Sequence, residues 1–76
     1  MDVFHLEWVE PAKNRFRYYG VSVERNLFGD RSVIVRWGRI GRAGRQRVAA
    51  SGDAGAMDIR ARRLVRDKLR RGYVET

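Results

Sequence analysis

The sequence predicts an α+β domain: a small antiparallel sheet of about four strands with one carboxy-terminal helix packed across it. Three observations carry that expectation. Residues 3–50 hold short runs of β-branched and aromatic residues separated by turn residues, residues 54–71 change to a helical period, and 76 residues leave room for one domain, spanning 1–76. A chain of this size buries only roughly 60% of its unfolded surface. It contains no cysteine, so no disulfide adds to its stability.

The first strand is expected from Val3 to Val9, ending before Pro11. A second runs from Phe16 to Glu24, with Tyr19, Val21 and Val23 on one face. Asn26-Leu27-Phe28-Gly29-Asp30 supplies turn residues, and a third strand covers Ser32 to Ile40. In that strand Val33, Val35 and Trp37 point one way and Ile34, Arg36, Gly38 and Ile40 the other. Both sides carry apolar groups, so alternation alone does not say which faces the core. Gly41-Arg42-Ala43-Gly44 makes a hairpin connection, its glycines able to take positive φ, and Arg45 to Ala50 forms the fourth strand.

Ser51-Gly52-Asp53 ends the β pattern and offers Asp53 as a helix N-cap. From Ala54 to Arg71 an apolar stripe of Ala54, Met57, Ala61, Leu64 and Val65, with Leu69 at its edge, defines the buried side. Arg62, Arg63, Arg66 and Arg70 occupy the opposite arc, where the default is plain solvation. Gly72 is the C-cap, and Tyr73-Val74 either adds a short strand or packs back on the sheet. Trp8, Phe16, Phe28 and Tyr73 are expected to be structural, while Tyr18, if exposed, would supplement Trp37 as a stacking group.

The charge narrows the function. Seventeen Lys plus Arg against nine Asp plus Glu give a net +8. Such a field attracts polyanions. Only Lys13 and Lys68 are lysines. Arginine's planar fork suits bidentate phosphate contact and ring stacking. No apolar run approaches the roughly 20 residues that span a bilayer, and the start Met1-Asp2-Val3-Phe4-His5 lacks a secretory pattern. A soluble intracellular protein is expected.

Catalysis is not expected. One histidine, His5, and scattered carboxylates spell out no nucleophile–base set and no catalytic residue. Without cysteine, His5 does not build a structural metal site, and no cofactor is implied. The informative stretch is Arg36-Trp37-Gly38-Arg39-Ile40-Gly41-Arg42-Ala43-Gly44-Arg45. Glycines alternating with four arginines join backbone N–H groups to guanidinium forks, a workable phosphate cradle, and Trp37 can stack on a base or a sugar. The competing description is a hairpin with a core tryptophan and solvated arginines.

Trp37-Gly38-Arg39-Ile40-Gly41 in this setting resembles the WGR domain, a module of the DNA-dependent poly(ADP-ribose) polymerases that also occurs as a stand-alone bacterial protein. Leu6-Glu7, Tyr18-Tyr19, Leu27-Phe28-Gly29 and the helix end Arg70-Arg71-Gly72-Tyr73 agree in order, so the likeness extends from about Phe4 to Tyr73. The resemblance implies binding to ends or nicks of a DNA duplex, with no ADP-ribosyl transfer. It assigns packing on the terminal sugar to Trp37 and a contact with DNA or a neighbouring domain to Arg39. Asn14 is the one candidate for a family asparagine.

The expected DNA-binding set is therefore Trp37, Gly38, Arg39, Arg42, Arg45, Arg36, Tyr18 and Asn14, contacting sugar and phosphate without reading sequence. The second reading is an adaptor docking on an acidic protein partner, and RNA stays open because nothing inspects a 2′-hydroxyl. The missing secretory pattern, the arginine bias and the resemblance together lead to the expectation of a bacterial cytoplasm, with nucleoid association as an option.

Overall fold

The computed structural model describes residues 3–76. The expectation drawn from the amino terminus rests partly on Met1 and Asp2, which lie outside the described residues. Strand β1 spans Val3–Glu10, followed by a 3-10 turn at Pro11–Lys13. β2 covers Arg15–Arg25, β3 Arg31–Arg39 and β4 Arg45–Gly52. Helix α1 runs Ala54–Arg71, and β5 is the two-residue strand Val74–Glu75. The strands form one antiparallel sheet in the order β4-β3-β2-β1-β5, so Val74 takes the strand alternative, Tyr73 packs back into the core, and the sheet has five strands. The 3-10 turn was not anticipated. Pro11 starts it, and Asn14 ends it in the left-handed region at φ 51, a conformation asparagine tolerates.

α1 forms where the helical period begins. Asp53 caps it, its carboxylate accepting from the Ala56 N–H at 3.0 Å, and Gly72 closes it with its N–H on the Leu69 carbonyl. Met57, Ala61 and Val65 are buried against the sheet. Leu6, Tyr19, Val21, Val23, Val33 and Val35 meet them from below. This settles the ambiguity of the third strand: the β-branched side with Val33 and Val35 is the covered one. The opposite face of the sheet has no helix, an arrangement that antiparallel sheets tolerate.

Pairing register fixes what lies beside what. Across the covered face, Leu6 pairs with Tyr19, Tyr19 with Trp37, and Trp37 with Arg45. One rung on, Phe4, Val21, Val35 and Arg47 line up in the same way. Each row begins in the core on β1 or β2 and ends in an exposed arginine on β4. Between Val33 and Ile34 the β3–β4 register slips and leaves Ala49 unpaired, a bulge that restores the covered face to Ala50.

Candidate nucleic-acid interface

Where α1 ends, the covered face is left open, and Trp37 sits at that opening. Its indole is half-buried, packed at one side against the core cluster and at the other lining an open concavity of about 670 Å³. Tyr19 and Tyr73 form the inner wall, with ring centroids 6.3 Å apart and edge to face. Six cations line the space: Lys13, Arg15, Arg17, Arg39, Arg47 and Lys68. No carboxylate among the described residues lines it. Lys13 and Arg15 are held by Glu10 at 3.7 and 3.1 Å, and Arg15 also lies over the Trp8 ring at 4.3 Å. That leaves Arg17, Arg39, Arg47 and Lys68 lining the space around the indole with no carboxylate within ion-pair distance among the described residues, although Asp67 acts on Lys68 from further away.

Lys68 places its ammonium 4.6 Å from the Tyr19 ring and 5.5 Å from that of Tyr73. Burial holds its pKa below the ordinary lysine value of 10.5, and repulsion from Arg71 and Arg17 pushes the same way. Burial raises the Tyr19 phenol, with nearby Arg47 opposing it. A concavity with an aromatic floor, several cations and no acid among the described residues is suited to an anionic ligand with a flat ring or sugar attached.

Comparison with known proteins decides the family. The sequence model of the WGR domain matches residues 3–76. The chain belongs to the WGR domain family. It is 39% identical over 69 residues to the uncharacterized protein y4dW of Sinorhizobium fredii, a match that covers 91% of this chain and 34% of the relative, so the chain spans about a third of that protein's length. No solved structure gives a significant match. WGR domains are non-catalytic modules that bind nucleic acid.

The structure divides the residues expected from the sequence of this WGR domain. Trp37, Gly38, Arg39, Tyr18 and Asn14 all border the concavity. Asn14 and Arg39, 25 positions apart, are joined by a hydrogen bond from the arginine Nη2 to the asparagine Oδ1 at 3.3 Å, and the Arg39 guanidinium lies 5.0 Å from the Phe16 ring. Arg42 and Arg45 are exposed outside the lining, Arg45 directly across from Trp37 on β4.

Arg36 differs from the expected arrangement. It lies on the uncovered face, donating to Gln46 Oε1 at 3.2 Å, Ser22 Oγ at 3.1 Å and Glu24 Oε2 at 3.3 Å. The Ser22 hydroxyl first, and then Arg36, hold the Glu24 carboxyl below its usual range. Strand alternation makes this unavoidable, because neighbours of Trp37 in sequence point away from it.

Tyr18 is not an exposed stacking group. Its ring stacks on His5 at 5.9 Å and its hydroxyl end packs over Gly38 and Gly44. Gly44 does not take the positive φ allowed for it, whereas Gly41 does, at 86°. Gly44 is required by space instead. A Cβ there would collide with the Trp37 carbonyl oxygen and the Tyr18 hydroxyl. Gly44→Ala is therefore expected to cost about 1–2 kcal/mol in urea denaturation, as overpacking does, whereas Arg42→Ala nearby stays within about 0.5 kcal/mol.

Arg17, Arg47 and Lys68 were absent from the expected site. They reach it from β2, β4 and α1, up to 31 positions from the motif. A usable signal existed for two of them: Arg17 shares strand parity with Tyr19, and Arg47 with Arg45. The turn residue Phe28, expected to be structural, is 90% exposed instead. No helix among the described residues is long and apolar enough to cross a membrane.

Proposed function

We propose that this chain binds ends or nicks of duplex DNA without reading sequence. The supporting observation is the Trp37 concavity, lined among the described residues by arginines and lysines and by no carboxylate. In this reading the terminal nucleotide enters the open end of the covered face and lays its sugar on the Trp37 indole. Arg17, Arg39, Arg47 and Lys68 take the adjoining phosphates, and Arg42 and Arg45 extend the positive rim along β4. Duplex away from its ends presents no free terminus to fill the concavity, so an end or a break is preferred. Phosphate contacts position the protein and carry no base information.

Titration of labelled nicked duplex, blunt duplex and intact duplex closed at both ends by hairpin loops, at about 0.15 M salt, tests this, with the nicked or blunt form expected to bind first. A matching RNA duplex in the same series separates DNA from RNA. Equal, weak binding to every form contradicts the proposal and favours an adaptor that docks on an acidic protein.

Lys68 adds a pH dependence. Its charged form is disfavoured in the free protein, and a phosphate brought beside it restores that form, so binding takes up a proton. Affinity is expected to be full below the depressed pKa and to fall as pH rises through it, beginning below the 10.5 of an ordinary lysine. In Lys68→Arg, where the group stays charged, affinity measured by anisotropy stays level over that window.

A further inference from the structure

The turn between β2 and β3 is the least expected surface of the molecule. Leu27 is 99% exposed and Phe28 90% exposed, side by side at the tip of a hairpin. The backbone that carries them is organised. Asn26 Oδ1 accepts from the Phe28 N–H at 2.9 Å and the Asp30 N–H at 3.1 Å, and the Asn26 N–H donates to the Asp30 carbonyl at 3.0 Å. The Asn26 amide in turn donates to Ser32 Oγ at 3.3 Å, which is tied to Ser51 Oγ at 2.9 Å. Two large apolar side chains are thus held in water on a braced turn, contributing nothing to the core. Arg25 and Arg31 form the rung directly beneath. Glu24 is occupied by Arg36, so against Asp30 the tip keeps one positive charge in excess.

The size of this apolar tip limits what covers it. Leu27 and Phe28 together offer about 400 Å². A symmetric pair of such tips totals about 800 Å², short of the roughly 1,200 Å² of a stable interface, so a second copy does not account for it. The fitting receptor is a flat apolar slot the width of one or two side chains, bordered by anions. A base-pair step, flanked by its phosphates, has that form, and leucine and phenylalanine are residues that wedge into such steps.

We infer that Leu27 and Phe28 are a wedge that enters the base stack of the same duplex whose end occupies the Trp37 concavity, kinking it, while Arg25 and Arg31 hold the phosphates on either side. This rests on the function proposed above. Trp37 lies six residues along β3 from Arg31, so the tip stands about 25 Å from the indole at roughly 3.3 Å per residue. At 3.4 Å per step along one strand, the unstacked position falls about 7 base pairs inside the end. The molecule's 45 Å long dimension accommodates that footprint.

The test uses blunt duplexes with 2-aminopurine placed singly at positions around that step, and a second set with a fluorescent donor and acceptor at the two termini. The whole chain is compared with the double variant L27S/F28S, in which circular dichroism and the melting midpoint should be unchanged because both side chains are exposed. For the natural chain, 2-aminopurine emission should rise at one or two adjacent positions, and energy transfer should report a bend between about 20° and 90°. The variant should still bind the ends, within about fivefold, and lose both signals.

End binding by the natural chain with neither signal overturns the wedge and leaves the end-binding reading standing. No binding of ends at all overturns both. Phosphatidylserine vesicles form the remaining arm: vesicle binding by the natural chain but not the variant, with silent 2-aminopurine, assigns the tip to a lipid surface and overturns the wedge.

Discussion

Replacing Trp37 by alanine is expected to weaken binding to a nicked duplex by about five- to 150-fold, the range of 1–3 kcal/mol that one aromatic stacking contact supplies. The indole also packs against the core, so part of any loss in that variant comes from the fold. Trp37→Leu separates the two effects, because leucine keeps most of the apolar contact and offers no flat ring. The leucine variant should melt close to the natural chain and still lose most of the affinity for nicked DNA. Affinity for intact duplex should change little in either variant, since that binding depends on charge alone. Equal losses on nicked and intact DNA would mean that the indole supports the surface without touching a terminus.

The second large effect belongs to Arg17 and Arg47, which the strand register brings to either side of the Trp37 row. If each neutralises one phosphate, each contributes about 0.9 to the slope of log affinity against log salt. The double variant R17Q/R47Q should therefore flatten that slope by about 1.8 and lower affinity about thirtyfold at 0.15 M salt. Both side chains are exposed, so stability should hardly move. Arg36→Gln is the informative contrast. That guanidinium is engaged by Glu24, Ser22 and Gln46 on the other face, so its loss should leave the salt slope unchanged and reduce stability instead. The stability lost in Arg36→Gln should also depend on pH. A carboxylate held below its usual range stabilises the fold above its unfolded value of 4.5, and that contribution disappears as pH falls through the depressed value.

The elements of this fold are written locally, and the sequence shows them well. The helix from Ala54 to Arg71, its Asp53 cap and its Gly72 stop match the structure because each follows from neighbours within a few residues. The orientation of β3 was less legible, since Val33 and Val35 compete with Ile34 and Ile40, and only the position of α1 decides between them. The site was legible at Trp37, Arg39 and Asn14 through the motif and the family resemblance. It was illegible at Arg17, Arg47 and Lys68, whose relation to Trp37 exists only after strands pair and the helix docks. Arg36 shows the converse: adjacency in sequence within a strand guarantees separation across the sheet. Phe28 misleads for another reason. A large aromatic usually marks burial, yet a turn braced by Asn26 leaves it no core to enter.

The central claim is that the Trp37 indole and the arginines around it meet a DNA terminus. The most direct measurement is a two-dimensional ¹H–¹⁵N spectrum recorded as a nicked duplex is added. The Trp37 indole N–H and the backbone amides of Gly38, Arg17 and Arg47 should shift, the Trp8 indole should move little, and intact duplex of equal length closed at both ends by hairpin loops should leave Trp37 nearly still. A silent Trp37 resonance, with shifts gathered on the open face around Ser22, Glu24 and Arg36, would contradict the account.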